Sequence, residues 1–255
     1  MASNNGSPVE SIRYTNTRVV TIDPEIMREK RLVMGLHNDP RTNIFRVLRT
    51  NILTQLRENN WNSFAITSAT PDAGKSFVSV NLAMAIAMEG NQSVILVDAD
   101  FRLPSIGEYL GLPVDAGLID YLKGMVSLEE VLFNPGIERL VVLPGRDCQI
   151  SSSEWVSSPK MMKLVQELKS RYESRVVIFD MPPLCVADDT MLLFPYVDAV
   201  LLVLEDEKNT KEELEYSMHV LERTHLLGTV LNKSRKPLPG HHYGYYGYEQ
   251  QASDA

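Results

Sequence analysis

The residues Ser63-Phe-Ala-Ile-Thr-Ser-Ala-Thr-Pro-Asp-Ala-Gly-Lys-Ser-Phe77 decide the fold of this chain. Their first part, Phe64 to Thr67, is a short β-prone run of the kind that forms a buried strand. The second part is small and turn-prone, carries Lys75, and opens onto the helical pattern of Val78 to Met88. A strand, a tight loop and a helix start aim several backbone N–H groups at one point, where the helix dipole adds partial positive charge. Lys75 supplies a full charge for phosphate oxygens, and Ser76 a hydroxyl for Mg²⁺. The spacing is that of G-x-x-x-x-G-K-[ST], with Ala69 in place of the first glycine. The stretch therefore predicts a cradle for a nucleoside triphosphate, lined by Ala73, Gly74, Lys75, Ser76 and Phe77.

Two further segments repeat the same logic downstream. Val94 to Val97 is a continuous apolar run, as expected of a parallel strand covered on both faces, and it delivers Asp98 and Asp100 at its carboxyl end. Open α/β sheets place their ligand sites at that end. Two carboxylates so close together are unfavourable unless a cation or a donor offsets them. Mg²⁺ would do so, and turn-forming or capping aspartates are the other reading. Arg175 to Asp180 is another apolar strand ending in a carboxylate, and Pro182 and Pro183 stop the ladder behind it.

The remaining pattern alternates helices with strands. A helix is predicted over Thr42 to Arg57, with Phe45, Leu48, Ile52 and Leu56 as its apolar stripe. Arg46, Arg49 and Arg57 share another face, either solvated or reserved for a neighbouring subunit. Short helices are expected within 105–135, a strand over Arg139 to Leu143, and a helix over Pro159 to Tyr172. A strand follows from Asp198 to Leu204, then a helix from Thr210 to Glu222 opened by a Thr210/Glu213 capping box. A last strand over Gly228 to Leu231 delivers Asn232. The expected fold is α/β, a mostly parallel sheet with helices on both faces. Residues 1–41 read as a polar segment whose first 25 or so are loosely packed, 42–236 as the nucleotide-binding domain, and 237–255 as a tail.

Bulk composition narrows the function. A chain of 255 residues buries about 70–75% of its unfolded surface, enough for one large core. The net charge of −8 argues against a protein that works by neutralising nucleic-acid phosphates. Cys148 and Cys185 stand apart, so neither a disulfide framework nor a zinc site is indicated. No apolar run reaches the length needed to cross a bilayer, and the N-terminus lacks a signal-peptide core, which points to the cytoplasm. Any membrane role would then run through a partner.

The tail differs in kind. His241-His-Tyr-Gly-Tyr-Tyr-Gly-Tyr248 gathers four of the ten tyrosines of the chain, interleaved with glycines that preclude a core of their own. Four uses are open: an adhesive low-complexity tail, a base-stacking platform, a metal site at the paired histidines, or phosphate acceptors at Tyr243, Tyr245, Tyr246 and Tyr248. A nucleotide site in the same chain favours the last.

Taken together, the motifs resemble the bacterial tyrosine kinases of capsule and exopolysaccharide synthesis, and most closely the exosortase-associated members. Thr67 to Ser76 is similar to their Walker A, Val97-Asp-Ala-Asp-Phe-Arg102 to Walker A′, and Ile178-Phe-Asp-Met-Pro-Pro183 to Walker B. The resemblance runs from about Thr42 to Tyr248 and implies a P-loop NTPase fold of the deviant Walker A type. It implies an ATP- and Mg²⁺-dependent autokinase that phosphorylates its own tyrosine cluster. In that role Lys75 and Ser76 hold phosphates and metal, Asp98 is the base on the tyrosine hydroxyl, and Asp100 assists at the metal. Asp180 orders the water shell of the metal, and Asn232 contacts the adenine. It further implies a membrane-anchored polysaccharide co-polymerase as activator, homo-oligomers, and recruitment to the inner face of the plasma membrane. Three departures stand out. Asp72 and Ala73 occupy positions where the family carries a small residue and then glutamate, and an added carboxylate repels phosphates. Asn43 replaces the glutamate of the subunit-contact helix. Two other functions share this core, a partner-switching ATPase of the partitioning and division-site type and a non-catalytic nucleotide-binding regulator of polysaccharide assembly.

Overall fold

The computed structural model describes residues 17–235 apart from 37, 38, 40, 149–151, 173 and 187, so the tyrosine cluster at 243–248 lies outside the described residues. Eight strands form one sheet: β1 (Arg18–Val19), β2 (Ser63–Ser68), β3 (Ser93–Asp98), β4 (Phe133–Asn134), β5 (Leu140–Leu143), β6 (Arg175–Asp180), β7 (Ala199–Glu205) and β8 (Leu226–Asn232). Their spatial order is β1-β4-β5-β3-β6-β2-β7-β8, and every neighbouring pair is parallel except β4 with β5. The helices are α1 (Pro24–Glu29), α2 (Thr42–Asn59), α3 (Lys75–Ala87), α4 (Ile106–Tyr109), α5 (Leu118–Leu122), α6 (Ser152–Val156), α7 (Pro159–Ser170), α8 (Asp189–Leu193) and α9 (Lys211–Leu221).

The central strands are apolar throughout because both faces are covered. Alternate residues go to opposite layers. Phe64, Ile66, Val94, Leu96 and Ile178 pack with Ile52 and Leu56 of α2 and with Leu82 and Ile86 of α3. Ala65, Ile95, Val97, Val177 and Phe179 pack with Leu118, Leu164, Leu168 and Leu221 on the other side. Local signals set the helix ends. Ser158 accepts from Met161 N–H at 3.2 Å and Pro159 opens α7, while the Thr210/Glu213 capping box starts α9 as its sequence indicates. Asn60 closes α2 in the left-handed conformation, φ 56°.

The structure departs from the sequence reading in three places. Part of the segment expected to be loose and polar belongs to the core. β1 adds to the sheet edge, Val20 N–H donates to Asn134 O at 2.8 Å, Asp23 caps α1, and Ile22, Leu32, Val33 and Met34 are buried. Asn81 of α3 holds this segment from within, accepting from Met34 N–H and donating to Arg31 O. A boundary at residue 42 therefore does not coincide with a break in packing. Second, α3 begins at Lys75 rather than Val78, because the loop residues themselves form its first turn. Third, the arginine face of α2 is neither wholly solvated nor wholly free. Arg49 donates to Ala85 O at 3.3 Å, and Arg57 pairs with Glu89 at 3.3 Å, both tying α2 to the end of α3. Arg46 bonds Asn43 within the helix.

Candidate active site

β2, β3 and β6 end side by side, and each delivers part of one cluster. From β2 the chain enters a loop pinned to its neighbours: Thr67 donates to Pro182 O at 2.7 Å, while Leu184 and Cys185 N–H groups donate to Ser68 and Ala69 carbonyls. Asp72 takes a left-handed conformation, φ 62°, which aspartate tolerates better than most residues. Gly74 is left-handed too, φ 89°, and a Cβ there would lie 2.2 Å from Asn232 Nδ2. Only glycine fits, on both counts. The same Asn232 amide donates to Ala73 O at 2.8 Å, so the end of β8 clamps the loop just before α3. The N–H groups from Gly74 to Phe77 precede the first intrahelical acceptor and remain available to an anion. Phe77 contributes through its backbone, since its ring packs edge-on against Phe45.

The charged groups meet below this loop. Asp98 and Asp180 are lateral partners on β3 and β6, and both are fully buried. Lys75 Nζ lies 2.8 Å from Asp100 Oδ2 and 3.5 Å from Asp180 Oδ2. Ser76 donates to Asp180 Oδ2 at 2.6 Å, and Ser79 lies 2.8 Å from Asp180 Oδ1. Asp98 Oδ2 accepts from the N–H groups of Ser105 and Ile106 at 2.9 and 3.0 Å, and Asp100 Oδ1 accepts from Arg102 and Leu103. All of Lys75, Ser76, Asp98, Asp100 and Asp180 thus stand in one cluster, with Gly74, Ala73 and Asn232 on its rim.

Three carboxylates face one ammonium, and the electrostatics follow. Burial pushes Asp98 up from the ordinary aspartate value of 3.8 to about 7, and the neighbouring Asp180 charge adds to this, against the Ile106 N–H and Lys75. Burial opposes the charge on Lys75, but Asp180 and Asp100 more than offset it and hold the ammonium above the usual lysine range. A surplus of buried negative charge built only from carboxylate and hydroxyl oxygens is a hard donor set, suited to Mg²⁺. Among the described residues no group of three or more acidic, histidine or cysteine side chains is arranged to hold a metal ion by itself.

Two members of the cluster were not read from the sequence. Ser79 lies one turn beyond Lys75 on the same face of α3, a spacing that could have flagged it. Ser105 donates to Ser76 Oγ at 2.8 Å across the cluster, and nothing in its sequence setting points there.

No protein-family model matches the chain. Individual relatives do. The chain is similar to the tyrosine-protein kinase YwqD of Bacillus subtilis, 34% identical over 206 residues that make up 80% of this chain and 85% of YwqD. EpsB of Ralstonia solanacearum is 32% identical over 225 residues, 86% of this chain, and the chain spans 30% of the length of EpsB. In three dimensions it superposes on the kinase domain of the Escherichia coli tyrosine kinase Etk with a TM-score of 0.73, at 27% identity, covering 92% of this chain and 95% of that domain. With its fold, its three strand-end motifs and a full-length relative all in agreement, this chain belongs to the bacterial tyrosine-protein kinases.

Proposed function

We propose that the protein is an ATP- and Mg²⁺-dependent tyrosine autokinase that phosphorylates its own tail at Tyr243, Tyr245, Tyr246 and Tyr248 and thereby regulates capsule or exopolysaccharide synthesis. The single observation that carries this reading is the convergence of Lys75, Ser76, Asp98, Asp100 and Asp180 beneath a helix start with free N–H groups. The N–H groups from Gly74 to Phe77 and the Lys75 ammonium take the phosphates, where negative charge builds during phosphoryl transfer. Ser76 and Asp180 hold Mg²⁺, with Asp100 beside them. When bound, Mg²⁺ neutralises phosphate charge and offsets the surplus of carboxylates. Asp98, whose proton affinity is raised by burial and by Asp180, accepts the proton of the tyrosine hydroxyl. Asn232 reads the adenine from its place on the loop rim.

Tyr243 lies eleven positions beyond Asn232, and fully extended this length of chain spans at most about 36–40 Å. The tail can therefore serve the site of its own chain or that of a second copy. Each phosphate adds about −1.5 to −2 charge, repelled by a body of net charge −8, so modification favours release of the tail. Among the described residues no helix is long and apolar enough to cross a membrane. A membrane-anchored polysaccharide co-polymerase would then recruit this cytoplasmic kinase to the inner face of the plasma membrane and activate it. Incubation with Mg-ATP followed by mass spectrometry of the tail tests the reading. Phosphate on the four tyrosines supports it, and ATP hydrolysis without any phosphotyrosine would favour a partner-switching ATPase.

A further inference from the structure

Ser105 stands immediately before α4, where a serine ordinarily caps its own helix. At that position the side-chain oxygen normally accepts from an N–H two or three residues on. Here it makes no such bond. Asp98 Oδ2 takes the N–H groups of Ser105 and Ile106 instead, so a carboxylate from the end of β3 caps α4. The Ser105 hydroxyl is left to donate across the cluster to Ser76 Oγ, at 2.8 Å. One residue thereby holds Asp98 with its main chain and Ser76 with its side chain.

The consequence follows from counting hydrogen-bond capacity. A serine hydroxyl has one proton and two lone pairs. The proton of Ser76 goes to Asp180 Oδ2 at 2.6 Å, and Ser105 occupies one lone pair. Lys75 Nζ, at 3.4 Å, is beyond good hydrogen-bond distance from the other. We infer that Ser105 is a positioning residue for the Mg²⁺–nucleotide site, fixing Ser76 so that one of its lone pairs is left for the Mg²⁺ that would bind there. Gly145 keeps this arrangement tight. A Cβ at Gly145 would lie 2.8 Å from Pro104 Cβ and 3.0 Å from Asp98 Cγ, so the Gly145 backbone packs against both Pro104 and the Asp98 carboxyl, where no side chain would fit.

This inference rests on the reading of Ser76 as a metal ligand, and the experiment separates the two. In the full chain, MgCl₂ is titrated at fixed ADP while the thermal unfolding midpoint is followed, with calorimetry of Mg-ADP binding as a second measure. Ser105→Ala should raise the half-saturating Mg²⁺ concentration about five-fold, the worth of one neutral hydrogen bond. Its midpoint without metal should stay close to that of the unaltered chain, and Ser105→Thr, which keeps the hydroxyl, should restore the Mg²⁺ response. Ser76→Ala should remove the Mg²⁺-dependent part altogether. A Mg²⁺ response that survives Ser76→Ala overturns the ligand reading itself. A response lost in Ser76→Ala but unchanged in Ser105→Ala overturns the inference alone. A Ser105→Ala chain that only melts earlier, with its Mg²⁺ titration unmoved, overturns it too.

Discussion

Replacing Asp98 with asparagine should make the metal-free protein more stable at alkaline pH while removing its activity. Asp98 is fully buried beside Asp180, and its proton affinity is raised from 3.8 to about 7. A group whose folded pKa is raised stabilises the fold fully below its unfolded value, and that contribution is lost as pH rises through the folded value. Keeping Asp98 ionised in this buried setting at pH 8.5 costs the fold about 4 kcal/mol. Asparagine carries no charge, so the variant escapes this penalty. Its single carbonyl oxygen can still accept from Ser105 and Ile106 N–H, both of which bond one oxygen of Asp98. Its NH₂ group then faces the N–H of Asp100, which now donates to the other oxygen at 3.3 Å, and losing that bond costs about 1 kcal/mol. Asp98→Asn should therefore gain about 3 kcal/mol at pH 8.5 but less than about 1 kcal/mol at pH 5, where only the unfolded Asp98 is ionised and the lost Asp100 bond offsets most of that smaller penalty. Urea unfolding at both pH values, in chelator and without nucleotide, reads the difference. An Asp98→Asn chain that is no more stable at pH 8.5, or that shows the same gap at both pH values, would refute the charge-surplus account of the site.

Other consequences can be tested alongside. Gly74→Ala combines a left-handed φ of 89° with a 2.2 Å contact to Asn232, so it should abolish Mg-ATP binding, and adding Asn232→Ala should recover part of the lost stability by removing the clash. Asp198 accepts from Asn62 N–H, Ser63 N–H, Ser63 Oγ and Lys169 Nζ at 2.7–3.1 Å. Burial raises its pKa, but these partners outweigh it and hold the carboxyl below the ordinary range. Its contribution is therefore present above the ordinary carboxylate pKa and is lost as pH falls through the lowered value. Asp198→Ala should cost about 2–4 kcal/mol at pH 7, with the deficit shrinking in acid denaturation. Asp72→Gly relieves a left-handed φ and removes an exposed charge beside the cradle, so calorimetry should show tighter Mg-ATP binding by a few-fold at low salt and less difference at high salt.

The parts of this molecule that were legible in the sequence share one property: local pattern and tertiary role coincide. Val94 to Val97 and Arg175 to Asp180 are apolar because they are central strands, and their trailing aspartates stand at the carboxyl edge because the sheet is parallel. The Thr210/Glu213 box starts α9 by bonds within four residues. What escaped depends on distant contacts. Ile22, Leu32 and Val33 are buried one or two at a time without a period, so the segment that carries them read as polar and outside the core. β4 is two residues long and exists only through its pairing with β1 and β5. The arginines of α2 looked like a free basic face because Ala85 and Glu89 lie on another helix. Ser105 and the Asn232 clamp on Ala73 join residues 29 and 159 positions apart, a separation over which sequence pattern carries no signal.

We propose that the cluster around Lys75 transfers phosphate to tyrosine. Lys75 is the ammonium that faces Asp100 and Asp180 and stands at the start of α3, so Lys75→Met removes the charge on which phosphoryl transfer would rely. Its loss also leaves buried carboxylates without their partner, and the variant should be destabilised by about 3 kcal/mol while remaining folded. The most direct test incubates the unaltered chain and folded Lys75→Met with Mg-ATP and maps phosphotyrosine by mass spectrometry. The account predicts phosphate at Tyr243, Tyr245, Tyr246 and Tyr248 in the first and none in the second. Equal phosphotyrosine in both, or none in the unaltered chain, would contradict it.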